Sequence, residues 1–336
     1  MTLTTRKSDE WINSVAEEII EPGRPIIDTH HHLWEVPEMW GTYLLEDLWA
    51  DTGSGHNVEK TVFIDCHANY RPDGPGRMKP IGETEFVVKV AEESAKRKGR
   101  ATISAIVSHA NMLLGEEVKP VLEAHENAGQ GLFRGIRHAG PHDDSGSLSN
   151  PGSPHPCPYG EASFRRGVKL LGDMGFTYDT WHFHLQNQAF RDLARAVPDT
   201  QMVLDHFGTP LGVGIYAGQQ DEIFEIWKRD IAAIAECENV VAKLGGLAMI
   251  DNGFGWHARP TAPTSDEFVA AQSRYYLHTI ECFGPDRCMF ESNFPVDRLS
   301  IPYPILINGV KKIVNDFSED EKQAIFYATA ERVYKL

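Results

Sequence analysis

The densest chemistry in the chain is the run Asp28-Thr29-His30-His31-His32, entered through Ile26-Ile27 and left through Leu33-Trp34. An apolar β-branched pair leading into polar residues predicts a buried strand whose end carries chemistry. Side chains alternate along a strand, so His30 and His32 are expected on one face and His31 on the other. Two neighbouring imidazoles so placed form a ligand pair for a divalent metal. A purification tag is the plain alternative, and the run is too short, too internal and too strand-like for that.

Comparable polar clusters recur at the ends of other apolar runs. Tyr178-Asp179-Thr180-Trp181-His182-Phe183-His184 again spaces two histidines by two, and His184, nearer the strand's end, is the one expected to reach a metal. Met202-Val203-Leu204-Asp205-His206 sets a histidine just past a buried run. Each alone reads more readily as a core histidine; their recurrence at successive strand ends favours a shared site. Arg134 and Arg137 stand at odd separation, so both cannot point inward. An inward arginine suits a substrate carboxylate or a structural ion pair equally. Lys243, in Val241-Ala242-Lys243-Leu244-Gly245-Gly246, is open to the same two readings.

These residues need a scaffold that brings strand ends together. Strands are predicted at 25–32, 60–66, 101–108, 132–138, 176–184, 201–207, 240–246 and 287–294. Helices are predicted at 83–98, 115–128, 162–174, 188–197, 220–237 and 266–283, with 318–334 after the eighth strand and a weak slot between the first two strands. Eight strands separated by helix-length crossovers predict an α/β fold, a closed parallel (β/α)8 TIM barrel, with chemistry at the carboxyl ends of its strands. An open doubly wound sheet is disfavoured because no strand is followed by Gly-x-Gly-x-x-Gly. Connections 68–82, 139–160 and 252–265, rich in turn residues, fall on the catalytic face as a lid or as plain loops. Residues 1–24 are read as an N-terminal extension, with an amphipathic helix over 11–20 that caps the barrel or meets a second copy. Residues 25–336 are read as one barrel domain.

Bulk properties narrow the function classes. A chain of 336 residues with 41% hydrophobic content can bury one large core. Its 48 acidic against 32 basic residues give a net charge of −16, which disfavours nucleic acid and anionic membrane as partners. Five cysteines without a Cys-x-x-Cys pair suit a reducing cytoplasm. No signal-like or membrane-spanning run is apparent, so a cytoplasmic location and a small-molecule substrate are expected.

The last strand, Cys288-Met289-Phe290-Glu291-Ser292-Asn293-Phe294-Pro295, resembles the Gly-Ser-Asp-Trp/Tyr-Pro strand of the amidohydrolase superfamily, in its amidohydrolase-2 branch. The opening 27–34 is similar to that family's Asp-x-His-x-His-x-Trp, 134–138 to its Arg-Gly-Ile/Val-Arg, 205–208 to its Asp-His-x-Gly and 243–246 to its Lys-x-Ser/Gly-Gly. The resemblance spans nearly the whole chain and implies a distorted (β/α)8 barrel. It implies one divalent ion, zinc or manganese, on His30, His32 and His184, although some lactonases of the branch work without metal. It implies hydrolysis of a small lactone or related carboxylated cyclic ester, with non-oxidative decarboxylation as the alternative. Asn293 stands where the family carries an aspartate, and asparagine cannot take up a proton at neutral pH. Glu291 is expected to serve as base in its stead, with Asp297 next in line; a lapsed, binding-only barrel is the third reading. His206 is expected to hydrogen-bond the carbonyl or move a proton, and Arg137, Lys243 and Trp34 to contact substrate. Trp40, Tyr70, Tyr159 and Trp256 are further candidates to line the pocket.

Overall fold

A computed structural model describes residues 7–36, 41–148, 152–153 and 156–336; Trp40 lies outside the described residues. Eight strands pair in chain order, all parallel. They are β1 (Pro25–His31), β2 (Asn57–Ile64), β3 (Thr102–Ser108), β4 (Phe133–Arg137), β5 (Thr177–Thr180), β6 (Met202–Leu204), β7 (Val240–Leu244) and β8 (Cys288–Phe290). The ring closes between β1 and the residues that follow β8. Asn293 N–H donates to His30 O at 2.9 Å and His32 N–H to Phe294 O at 2.8 Å. Asp28, whose carboxylate accepts from Ser292 N–H at 2.8 Å and the Tyr303 hydroxyl at 2.9 Å, clamps the same seam. Burial pushes the Asp28 carboxyl up to about 6 against those hydrogen bonds.

Inside the ring, Ile27, Val62, Val107, Val203, Val241 and Met289 form an apolar plug, stopped from below by Val333 and Tyr334 of the last helix. Arg134 turns to that end and donates to the Tyr334 and Gly131 carbonyls, while Arg137 turns to the opposite end. The odd spacing of the two arginines is resolved in this way. β1 departs from simple alternation. Three steps along β1 lead from Asp28 to His31 where two along β2 lead from Thr61 to Phe63. That one-residue bulge brings His30 into the barrel although it lies three positions from the inward Ile27. His31 faces outward, its Nε2 3.0 Å from Thr61 Oγ1.

Most predicted helices form within a few residues of their expected ends: Ile81–Ala95, Lys119–Gly129, Ala162–Asp173, Asn187–Ala196, Gln220–Ala235 and Ser265–Phe283. The weak slot holds Leu45–Thr52, and Tyr303–Ile313 after β8 is a helix that the sequence pattern did not indicate. The expected helix over 11–20 is confined to Asp9–Ile12. Beyond it the chain is an irregular strap, because other side chains satisfy its backbone. Asn308 accepts from Ile20 N–H at 3.0 Å, and Lys311 Nζ donates to the carbonyls of Ile20 and Glu21 at 2.9 and 2.8 Å.

Two core histidines make the fold acid-sensitive. His125 stacks on Phe133, its Nε2 donating to His109 O and its Nδ1 accepting from Thr84. His182 donates from Nε2 to Asn187 Oδ1. Burial lowers both to about 4. The unfolded chain therefore binds protons that the folded one refuses between about pH 6.5 and 4. These two histidines are expected to leave stability unaffected above that window and to lower it within the window by up to about 1.4 kcal/mol per pH unit each. The difference between the urea midpoints of wild type and His125→Gln, followed from about pH 8 to 4, measures the His125 share, and the variant should fall less steeply below about pH 6.5.

Candidate functional site

His30 sits at the centre of a fully buried polar cluster at the carboxyl end of the barrel. Its Nε2 lies 3.3 Å from His32 Nε2 and 3.2 Å from Arg137 Nη1. Its Nδ1 lies 2.9 Å from Glu291 Oε2 and 3.4 Å from Lys243 Nζ. His32 Nδ1 faces the Ile64 carbonyl at 2.9 Å. A carbonyl oxygen only accepts, so Nδ1 carries the proton and His32 Nε2 presents a bare lone pair.

His206 and Glu291 are a hydrogen-bonded pair. Glu291 Oε1 accepts from the backbone N–H of His206 at 3.1 Å and lies 2.7 Å from its Nδ1. Burial pushes the Glu291 carboxyl up to about 7 despite the pull of Lys243. β6 ends at Leu204, and His206 and Phe207 both take left-handed backbone (φ 53° and 56°), which swings the imidazole across the barrel. The Gly-Gly pair after β7 makes the room. A Cβ on Gly246 would lie 2.1 Å from His206 Nδ1, and one on Gly245 2.6 Å from Glu291 Cγ.

Beneath lies a layer of ion pairs. Lys243 Nζ is 3.0 Å from Asp205 and 3.2 Å from Asp179, with no exposed surface. Arg137 pairs with Asp65 at 2.7 Å and stands 3.7 Å from Asp205. The cluster thus counts four carboxylates (Asp65, Asp179, Asp205, Glu291) against two cations (Arg137, Lys243), an excess of two negative charges when all are ionised. Burial in that company raises Asp205 to about 6.

A cavity of about 520 Å³ opens above, lined by His32, Trp34, Arg137, Trp181, His206 and Asn293 among others. A second chamber of about 440 Å³ adjoins it across Cys66, His67, Arg137 and Trp181.

The predicted residues sort clearly in this geometry. His30, His32, His206, Glu291 and Arg137 come together, and Trp34 lines the cavity, stacked on His32 at 5.8 Å. His184 does not join them. β5 stops at Thr180, so strand alternation no longer directs His184, which begins a one-turn helix, accepts from Leu211 N–H at 3.3 Å and faces Tyr216. Lys243 is walled off from the cavity by its acidic partners. Glu291 and Asn293 do not share a face, because β8 ends at Phe290 and Asn293 is left-handed (φ 58°). Asn293 Nδ2 donates to Asp297 Oδ1 at 2.9 Å, which commits the amide to that acid. Of the aromatic candidates, Tyr159 and Trp256 pack in the core.

The donor chemistry fits a divalent cation. His30, His206 and Glu291 bring one ligand atom each within 4.8 Å, and His32 adds its bare Nε2 at 3.3 Å from His30 Nε2. Glu291 Oε2 is buried and has no hydrogen bond of acceptable geometry, and the excess negative charge equals one divalent ion. Sequence reasoning missed Asp65, His67 and His109. Asp65-Cys66-His67 repeats the two-residue spacing at the end of β2, but the predicted strand stopped one residue short of His67.

A family profile described as amidohydrolase matches residues 27–336. The uncharacterized protein y4mH of Sinorhizobium fredii is 30% identical over 331 residues, covering 93% of this chain and 98% of that one. The L-fucono-1,5-lactonase of Burkholderia multivorans is 28% identical over 319 residues, covering 92% and 96%. Among solved structures, an amidohydrolase from Burkholderia multivorans with bound zinc superposes at a TM-score of 0.70 with 21% identity, covering 93% of this chain and 100% of that one.

Proposed function

Because this chain belongs to the amidohydrolase family and is an enzyme of the hydrolase type, we propose that it opens a small lactone to the corresponding hydroxy acid. The observation that carries this reading is the Glu291–His206 pair, 2.7 Å apart, with His206 facing a cavity of about 520 Å³. The relative named as an L-fucono-1,5-lactonase supports the ester class.

With Glu291 ionised, His206 Nδ1 donates to it and Nε2 is left as a base. That base takes a proton from water as the water oxygen attacks the lactone carbonyl carbon. The bond from that carbon to the ring oxygen then breaks, and the imidazolium returns its proton to the departing oxygen. Glu291, fully buried, stabilises the imidazolium through Nδ1 and never meets substrate. It is a positioning residue, not the direct base that its place on the strand suggested. Arg137, fixed by Asp65, turns its remaining N–H groups toward an acidic or carbonyl oxygen. Trp34 and Trp181 give a flat ring two apolar walls. A divalent ion held by His30 and His32 would polarise the carbonyl.

Ring opening releases a proton, whereas decarboxylation releases carbon dioxide and consumes one. Pure protein supplied with zinc or manganese, offered five- and six-membered sugar-acid lactones and a carboxylated pyrone in weak buffer with a pH indicator, should acidify at least one mixture. His206→Ala should lower that rate by about 10²-fold or more. Carbon dioxide release in its place would favour decarboxylation. Ligand binding without turnover of either kind would leave a binding barrel.

A further inference from the structure

We propose a second divalent-cation site in the adjoining chamber, formed by Asp65, His67 and His109 at the ends of β2 and β3. These three bring one ligand atom each within 4.8 Å. Each is held in the orientation a ligand needs. Asp65 gives Oδ1 to Arg137 Nε at 2.7 Å, which leaves Oδ2 turned to His67 Nε2 at 3.4 Å. His109 Nδ1 faces the Arg137 carbonyl at 3.1 Å, so it carries the proton and Nε2 offers the lone pair. A ligand histidine whose other ring nitrogen donates to a carbonyl, beside a carboxylate anchored through its second oxygen, is the support that metal-binding groups ordinarily have.

His67 is the strongest sign that the arrangement is built for a purpose. Its backbone is left-handed (φ 63°), an unfavourable conformation for a residue with a Cβ. The amides on both sides are pinned to a single buried carboxylate, Cys66 N–H and Ala68 N–H donating to Glu83 Oε1 at 3.0 and 2.8 Å. The fold therefore spends a buried acid on holding a strained turn, and the turn projects one imidazole. The His67 side chain is 65% exposed, so an ion can enter from solvent. Two imidazoles and one carboxylate suit zinc and its first-row neighbours, with open positions left for a ligand. Arg137 stands between this site and His30, so an ion here meets the far end of a cavity ligand, such as vicinal hydroxyls or a carboxylate, rather than the reacting carbonyl.

The test uses His67→Gly, since glycine accepts the left-handed backbone and the variant keeps its fold. Wild-type protein, His67→Gly and His32→Ala are stripped with chelator, reloaded with zinc, desalted and measured for zinc per chain by mass spectrometry. Wild-type crystals are also measured at the zinc absorption edge. His67→Gly should hold one ion fewer than wild type, and an anomalous peak bounded by Asp65, His67 and His109 should vanish in it. Equal zinc in wild type and His67→Gly, with no such peak, overturns the site. So does a buffer or substrate anion found at that position with no metal. Zinc lost only in His32→Ala would uphold an ion at His30 and His32 while overturning this second site. Zinc lost only in His67→Gly would do the reverse.

Discussion

Glu291→Gln is expected to lower kcat by about 10²–10⁴-fold, or roughly 3–5 kcal/mol of transition-state stabilisation, with KM little changed. The amide oxygen of glutamine can still accept from the His206 backbone and from Nδ1, so the imidazole keeps its place. What is lost is the negative charge that steadies the imidazolium once water has given up its proton. The fold should survive, because Lys243 retains Asp205 and Asp179 as partners and the variant no longer confines a carboxylate in the barrel. Thermal melting beside steady-state kinetics separates the two effects. In the wild type, the active form needs an unprotonated pair, so kcat should rise with pH through an inflection near 7, set by the raised Glu291 carboxyl. That inflection should disappear in the variant. Wild-type turnover in Glu291→Gln would mean that another group activates water, and the proposed dyad would be wrong.

Asn293→Asp, which supplies the aspartate that the sequence resemblance leads one to expect at this position, is expected to harm the enzyme rather than improve it. Asn293 Nδ2 donates to Asp297 Oδ1 at 2.9 Å, and both residues are buried. Exchanging that amide for a carboxyl sets two acid oxygens at hydrogen-bond distance, and both cannot ionise there. Asp297 is already pushed well above the ordinary carboxylate range by burial. The folded variant therefore holds a shared proton that the unfolded chain releases near pH 4. A group whose folded pKa is raised loses its stabilising contribution as pH climbs toward that raised value. The variant should thus lie within about 1 kcal/mol of wild type at pH 5 and fall about 2–4 kcal/mol below it at pH 8. Its kcat at pH 8 should drop at least tenfold. Denaturation and kinetics at the two pH values decide the matter. A rise in kcat with unchanged stability would mean that Asp297 gives way, and that this barrel had lapsed for want of one carboxylate.

Much of this molecule is legible in its sequence, and the parts that are not share a cause. Inside strands, period-two patterning placed His30 and His32 together, His31 apart, and only one of Arg134 and Arg137 at the active end. Past the regular strand that logic lapses. His184, Glu291 and Asn293 all lie beyond the ends of β5 and β8, where a one-turn helix turns His184 aside and the left-handed backbone of Asn293 parts it from Glu291. Lys243 was legible as inward-facing, with substrate contact and an ion pair equally open, and Asp179 and Asp205 from neighbouring strands supply the ion pair. The strap after Asp9–Ile12 has an apolar rhythm compatible with a helix, and only the tertiary partners Asn308 and Lys311 decide against it. His67 escaped notice because its turn is organised by Glu83, in a later helix.

The seam between β1 and β8 ties the chemistry to the history of the chain. His30 leaves the ribosome early and Glu291 late, and the backbone bonds that close the ring are those of His30, His32, Asn293 and Phe294. During synthesis the seven earlier strands can associate in order and bring Arg137 and Lys243 to their acidic partners, yet His30 and His206 lack Glu291 until β8 emerges. A nascent or truncated chain that lacks this last strand is therefore expected to be an open sheet without the Glu291–His206 pair. The Glu291–His206 pair and ring closure are thus expected to form in a single late event, and a quality-control protease that reads the open edge would in effect be inspecting that pair.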